Sequence, residues 1–133
     1  MSVTLDTNEY VSALQFAGRP SHLLGMAKVG TLTVDISDHI EKELIWVLRE
    51  DFAWDGYRLR FLAEHLRDMT RRVTPVRTVA VVDDPDDDRI IECASAGGSD
   101  YIITEDKALL RVRQYEGITI LKATDFLAIR RPG

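Results

Sequence analysis

The stretch VTLDTNEYVSALQFA at residues 3–17 decides the fold class. It opens with a short apolar run, which predicts a buried strand ending at Asp6. Residues 8–17 then predict a helix, because the pattern stops at the turn residues Gly-Arg-Pro of positions 18–20. The chain therefore begins with a strand that leads directly into a helix, with an acid at the junction.

Strands and helices continue to alternate along the rest of the chain. Residues 79–82 form a continuous apolar run, which is typical of a strand buried on both faces. Helical spacing of apolar residues begins after Ser37 or Asp38, and again after Asp55. We predict further strands at 32–36, 101–103 and 118–121, and helices at 21–29, from 38, from 55 to the basic pair at 71–72, around 90–97, around 109–110 and after a capping Thr124.

This alternation predicts an α/β domain in which helices cover both faces of a central parallel sheet, with right-handed crossover connections. The length of 133 residues suits one domain, and no repeat, linker or low-complexity segment divides it. We therefore expect a single domain over residues 1–133. In such sheets, ligands bind at the carboxyl ends of the strands.

The composition excludes several classes of protein. A single cysteine, Cys93, cannot form an internal disulfide, and no cysteine or histidine spacing indicates a zinc site. We see no apolar leader and no segment of membrane-spanning length, so we expect a cytoplasmic protein without a membrane partner. The formal net charge of −5 argues against a broadly basic nucleic-acid-binding surface, although divalent cations at an acidic site would offset part of this charge.

Acidic residues follow three of the predicted strands. Asp6 ends the first strand, five acids lie within residues 83–88, and Asp106 follows the strand at 101–103. Carboxylates held close together repel one another unless a cation neutralises them, and oxygen ligands favour Mg²⁺ or Mn²⁺. Such ions polarise a phosphodiester and activate a bound water. The pattern therefore indicates metal-dependent phosphodiester hydrolysis.

Four motifs together resemble the PIN-domain family. They are Asp6-Thr7-Asn8, Glu43 within Glu41-Lys42-Glu43-Leu44, Asp84-Pro85-Asp86-Asp87-Asp88 followed by Ala94, and Thr104-Glu105-Asp106. The subgroup that they resemble most is the toxin components of bacterial toxin–antitoxin pairs. The resemblance implies a three-layer α/β/α sandwich, an endoribonuclease dependent on Mg²⁺ or Mn²⁺, a homodimer, and inhibition by a cognate antitoxin protein.

The resemblance also assigns roles to individual residues. Asp87 is preferred to its acidic neighbours because it precedes Ala94 by seven residues, as the third family acid precedes its alanine. Glu105 stands where the subgroup commonly has glycine. The catalytic and metal-holding acids are then Asp6, Glu43, Asp87 and Asp106, the site-ordering residues are Asn8 and Thr104, and the acids kept in reserve are Asp84, Asp86, Asp88 and Asp100.

Each acid taken alone has a plainer interpretation. Asp6 and Asp106 are both suited to cap a helix, and the run at 83–88 is typical of a turn and a helix start. Glu43 alone is most simply a solvated helix residue. Only the combination of these residues favours a metal site.

Three other functions are alternatives to the nuclease. A phosphoacceptor receiver domain also has acids at strand ends, with Asp83 or Asp84 phosphorylated, but it leaves Glu43 without a role. A haloacid-dehalogenase-like phosphatase requires an aspartate at position 8, where this chain has Asn8. A non-catalytic binding module that keeps the PIN fold is the third alternative, and metal-dependent RNA cleavage would distinguish it from the enzyme.

Residues outside the acidic motifs give weaker indications. Lys107 and Arg111, next to the Asp106 turn, are the cations best placed to meet RNA phosphates. Trp46 and Trp54 are interpreted as core or interface residues rather than base-stacking ones. No metal-ligand spacing connects the three histidines, which are His22, His39 and His65.

Overall fold

The computed structural model describes residues 1–130 of the chain. The strands are β1 (Ser2–Leu5), β2 (Thr33–Ile36), β3 (Arg71–Arg72), β4 (Tyr101–Ile103), β5 (Gln114–Tyr115) and β6 (Ile118–Leu121). The helices are α1 (Thr7–Gln15), α2 (Arg19–Lys28), α3 (Asp38–Phe52), α4 (Gly56–Met69), α5 (Pro85–Gly97), α6 (Lys107–Val112) and α7 (Ala123–Arg130). The strand order in the sheet is β3-β2-β1-β4-β6-β5.

The fold confirms the predicted α/β class, with a mostly parallel sheet between helical layers. All strand pairs are parallel except β5 with β6, and β5 is a two-residue edge strand that the sequence did not indicate. None of the helices among residues 1–130 is long and apolar enough to cross a membrane.

The centre of the sheet fixes where the acidic motifs lie. β1 pairs in parallel with β4, with Leu5 opposite Ile103. The chain continues this pairing past the end of β1, because the backbone N–H of Asp6 donates to the carbonyl of Ile103 at 3.0 Å. The carboxyl ends of β1 and β4 therefore meet at one edge, which brings Asp6 close to the turn that contains Thr104 and Asp106.

Helix α3 carries Glu43 and is held at both its face and its start. Ile40, Leu44 and Leu48 recur at helical spacing and are fully buried. The hydroxyl of Ser37 accepts a hydrogen bond from the backbone N–H of Ile40 at 3.3 Å, so the predicted N-cap is confirmed. Burial of this stripe fixes the rotation of α3 and hence the direction in which Glu43 projects.

The third strand is not where the sequence placed it. Helix α4 ends at Met69, and the basic pair predicted at its end forms β3, in which Arg71 lies opposite Asp35 of β2. The carboxylate of Asp35 is fully buried, and its Oδ1 accepts a hydrogen bond from Nε of Arg71 at 2.7 Å. A buried carboxylate requires such a partner. This ion pair, between residues distant in the sequence, holds residues 71–72 beside β2 as an edge strand.

The apolar run at 79–82, predicted to be a buried strand, is a loop. The place beside β2 is already occupied by β3, and only Val79 of this run is buried. Side chains of α5 bind its backbone instead: Glu92 accepts from the N–H of Val79 at 2.9 Å, and Asp88 accepts from Val81 and Val82 at 2.8 and 3.0 Å.

The predicted cap of the last helix is also wrong, by two residues. Helix α7 begins at Ala123, because the carbonyl of Lys122 already accepts from the backbone N–H of Phe126 at 3.0 Å. Thr124 therefore lies within the first turn of the helix rather than before it.

We predict that Asp88→Ala lowers the free energy of unfolding by about 2–3 kcal/mol, because it leaves two backbone donors of the 79–82 loop without their charged acceptor. Urea unfolding measures the change. Asp83→Ala, at an exposed position in the same acidic run, is the control and should stay within about 0.5 kcal/mol of wild type. Equal effects of both substitutions would show that the loop does not depend on Asp88.

Candidate metal centre

Asp6 is a buried acid bound to a neighbouring strand rather than to its own helix. It occupies the N-cap position of α1, but its side chain makes no capping hydrogen bond and is only 7% exposed. Its Oδ2 instead accepts a hydrogen bond from the hydroxyl of Thr104 at 2.7 Å. Thr104 is fully buried, and its Oγ1 also accepts from the backbone N–H of Asp106 at 2.9 Å. Thr104 thus joins the two acids.

Asp106 combines a structural contact with a place in the acidic cluster. Its Oδ1 accepts a hydrogen bond from the backbone N–H of Leu109 at 3.0 Å, so the side chain caps α6 as the plainer interpretation expects. It also shares a side-chain hydrogen bond with Asp87 of the first turn of α5. The cap therefore fixes the carboxyl group of Asp106 while keeping it next to a second acid.

Burial and neighbouring negative charges raise the pKa values of Asp87 and Asp6. Partial burial raises the pKa of Asp87 from 3.8 to about 7, with further contributions from the negative charges of Asp106 and Asp6. Burial also raises the pKa of Asp6, and Asp106 and Glu43 add to this shift, while the Thr104 hydrogen bond opposes it. Asp6 therefore lies within electrostatic reach of each of the other three acids predicted from the sequence.

Glu43 lies among a different set of neighbours from the other three acids. Nε2 of His39 is 3.9 Å from Oε2 of Glu43 and 3.3 Å from Oδ1 of Asp86. Within residues 1–130, His39, Glu43 and Asp86 are the group whose ligand atoms all lie within 4.8 Å of one another. The sequence analysis assigned His39 no role, although its spacing of four residues from Glu43 places both on one face of α3.

The remaining candidate residues occupy different positions. Asp84 caps α5, where its Oδ1 accepts from the backbone N–H of Asp86 at 2.9 Å. Asp88 binds the 79–82 loop, and Asp100 accepts from the backbone N–H of Ser2 at 3.0 Å, at the amino end of the sheet. These two reserve acids therefore lie outside the cluster, whereas Asp86 adjoins it.

A buried acid in the cleft next to Asp6, on helix α1, was not predicted from the sequence. Glu9 is 3% exposed and shares a cleft of about 220 Å³ with its neighbours. Burial raises its pKa from 4.5 to about 7, with additions from Glu105 and Asp6. Its spacing of three residues from Asp6 is also that of a capping box, which concealed it. The cleft is lined by Asp6, Asn8, Glu9, Ser12, Glu105 and Asp106.

The donors of this cluster suit a hard divalent cation. Asp6, Asp87 and Asp106 offer only carboxylate oxygens, which Mg²⁺ and Mn²⁺ prefer. Burial raises the pKa values of Asp6 and Asp87, and the negative charge of Asp106 adds a repulsion that a bound cation would relieve. The chemistry of the residues therefore fits such an ion.

Comparison with known protein families agrees with this geometry. A family model described as the PIN domain matches residues 2–108, which include all four acids. The chain belongs to the PIN-domain family. No curated protein shows significant sequence similarity to this PIN domain.

Among solved structures, the PIN domain is similar to a chain of VapBC2 from Rickettsia felis, in a crystal structure described as bound to a DNA fragment from their promoter. The sequence identity is 13% and the TM-score is 0.63, and the alignment covers 90% of this chain and 97% of that one. At this identity the similarity establishes the shared fold.

We predict that Asp87→Asn stabilises the metal-free protein more as the pH rises. The folded state holds a proton on Asp87 that the unfolded chain releases near its ordinary pKa of 3.8, so this group reduces stability as the pH rises from there to about 7. Thermal unfolding in EDTA from about pH 5 to about pH 8 measures the difference from wild type.

The exposed Asp83→Asn variant controls for loss of one negative charge. A melting-temperature difference between Asp87→Asn and wild type that does not change with pH would contradict the coupling of Asp87 to the cluster.

Proposed function

We propose that this PIN domain is a metal-dependent endoribonuclease that hydrolyses RNA phosphodiester bonds with Mg²⁺ or Mn²⁺. The observation that carries the proposal is the mutual coupling of Asp6, Asp87 and Asp106 where β1, β4 and α5 end or begin. PIN domains are typically nucleases, which agrees with this arrangement. The choice of RNA as substrate rests on the resemblance to toxin components.

The four acids divide into two roles in the proposed site. Asp6, Asp87 and Asp106 would hold the ion or ions, and Glu43 completes the site and helps to orient water. The hydroxyl of Thr104 directs one oxygen of Asp6 and leaves the other free to bind. When bound, the divalent cation supplies a Lewis acid for the phosphoryl oxygen and lowers the pKa of water.

A basic surface adjoins the acidic cluster and suits the phosphates of a polyanionic substrate. Lys107, Arg111 and Arg113 line an open cleft of about 410 Å³ on α6, directly after Asp106. In the part of the chain that the structure describes, these three cations form no ion pair within 4.0 Å. Phosphate contacts from such side chains would position RNA without reading its sequence.

Other cations are less suited to this task. Arg71 is bound to buried Asp35, and Arg72 pairs with Asp38 and Glu41 at 3.1 and 2.7 Å. A further cation, Arg131, lies outside the described residues. The basic surface on α6 is therefore the part of the chain that we propose for substrate binding.

We further propose that the protein is the toxin of a toxin–antitoxin pair, that it forms a homodimer, and that a cognate antitoxin protein inhibits it. The fold shared with a chain of VapBC2 supports the pairing. Exposed aromatic side chains of α3 and α4 provide apolar surface for a protein partner. They are Trp46 and Phe52 on α3, and Tyr57 and Phe61 on α4. Light scattering that finds only monomers at micromolar concentration would contradict the homodimer.

Two of the three alternative functions differ in how well they fit the structure. The receiver hypothesis loses its phosphoacceptor, because Asp83 and Asp84 follow a loop rather than a strand. A non-catalytic binding module remains distinguishable only by activity, since it would keep the same fold and acids.

We predict that the purified protein cleaves a mixed RNA substrate with Mg²⁺ or Mn²⁺, and that EDTA abolishes cleavage. Asp6→Asn and Asp106→Asn should each lower the rate by more than about 100-fold, because they remove proposed metal-holding oxygens. Thr104→Val should lower it by about 10- to 100-fold, because it removes the hydroxyl that binds Asp6 and the backbone of Asp106 but no proposed metal-holding oxygen.

The matched control is Asp51→Asn, an exposed acid on α3 outside the cluster, which should keep full activity. Cleavage that persists in both cluster variants would indicate a contaminating nuclease. Absence of cleavage by folded wild type on varied substrates would favour the non-catalytic module.

A further inference from the structure

Glu9 is a buried carboxyl group that lacks a compensating partner. It is 3% exposed, and among residues 1–130 its Oε1 has no hydrogen-bond partner. A buried carboxylate without a partner is strongly destabilising, because it loses its hydration and gains nothing in return. The group therefore requires either a bound proton or a cation from solution.

No side chain near Glu9 supplies that cation. The cleft next to Asp6 contains no basic residue. Arg19 lines an adjoining cleft of about 270 Å³ on the other side of Glu9, but forms no ion pair with it within 4.0 Å in the described chain. Lys122 pairs with Glu105 at 3.8 Å, and both are half exposed, so this pair neutralises little.

Both clefts share the same two acids. Glu9 and Glu105 line the cleft that contains Asp6 and Asp106 as well as the adjoining one. Glu9 lies in the first turn of α1 and Glu105 lies in the turn before α6, so both reach the cleft from elements other than α5, which carries Asp87. A buried acid with an unpartnered oxygen and an exposed acid thus line a common space beside the proposed metal centre.

We propose that Glu9 and Glu105, together with Asp6, form a second cation position that takes a hydrated divalent ion. Neither this group nor Asp6, Asp87 and Asp106 brings its ligand atoms mutually within 4.8 Å, unlike His39, Glu43 and Asp86, so bound water would complete the contacts of a cation at either position. Mg²⁺ keeps several of its six octahedral ligands as water. At roughly 30 Å³ for each water, that shell fits a cleft of about 220 Å³.

The role of this second ion rests on the proposed nuclease site, with which it shares Asp6. A hydrated cation there would offset the charge of Glu9 and place positive potential beside the metal centre, where a phosphate would approach. It also gives a function to Glu105, which departs from the glycine common in the subgroup.

Binding of Mn²⁺ to the full chain tests this position without relying on cleavage. We expect the wild type to show two classes of site in a titration followed by electron paramagnetic resonance of free Mn²⁺. Glu9→Gln should weaken the weaker class at least tenfold and leave the tighter class unchanged. Glu105→Gln should weaken the same class by a smaller factor, because its side chain is more exposed.

Two controls keep the test decisive. Asp51→Asn should bind as wild type does, and Glu9→Gln should melt no lower than wild type in EDTA, since glutamine keeps the shape and removes a buried charge. Hexaamminecobalt(III), which matches hydrated Mg²⁺ in size and exchanges no ligand, should displace Mn²⁺ from the weaker class only.

Unchanged Mn²⁺ binding by folded Glu9→Gln would overturn the second position and show that a proton neutralises Glu9. Failure of hexaamminecobalt(III) to compete would overturn the hydrated form of the ion. Two classes of Mn²⁺ site together with no RNA cleavage would instead contradict the proposed nuclease and leave the second position supported.

Discussion

The hydrogen bond from the hydroxyl of Thr104 to the carboxylate of Asp6, 2.7 Å long and fully buried, connects the ends of the two central strands. The same oxygen of Thr104 accepts from the backbone of Asp106, so one side chain sets the positions of two acids. Asp106 in turn caps α6 and contacts Asp87. The arrangement of the acidic cluster therefore depends on a threonine that carries no charge itself.

This arrangement opposes stability in the absence of a cation. Native proteins are stable by only about 5–15 kcal/mol, so several acids with raised pKa values at one sheet edge are a substantial burden. Contacts elsewhere in the fold offset this cost in stability. The buried stripe of α3 holds the helix that carries Glu43, and the ion pair between Asp35 and Arg71 secures the edge of the sheet. Acids with such perturbed pKa values agree with the proposed metal centre.

The sequence predicted what depends on local pattern, and missed what depends on distant partners. The first strand, helix α3 and the Thr104 turn follow from periodicity and position, and they locate the central acids. β3 could not be predicted, because it forms through a pair between Arg71 and Asp35, which are 36 residues apart. The apolar run at 79–82 has the pattern of a buried strand. It forms a loop because its backbone N–H groups donate to side chains of α5 rather than to a neighbouring strand. His39 meets Asp86 only through helix packing.

The most direct measurement is the melting temperature of Asp6→Asn and Asp106→Asn against wild type, first in EDTA and then with saturating Mg²⁺. Asparagine keeps an oxygen that accepts the existing hydrogen bonds and removes one repulsive charge, so both variants should melt above wild type in EDTA. Mg²⁺ should raise the wild type by several degrees and reverse the order. Variants that melt below wild type in EDTA, or a wild type that Mg²⁺ does not stabilise, would contradict a cation site at this cluster.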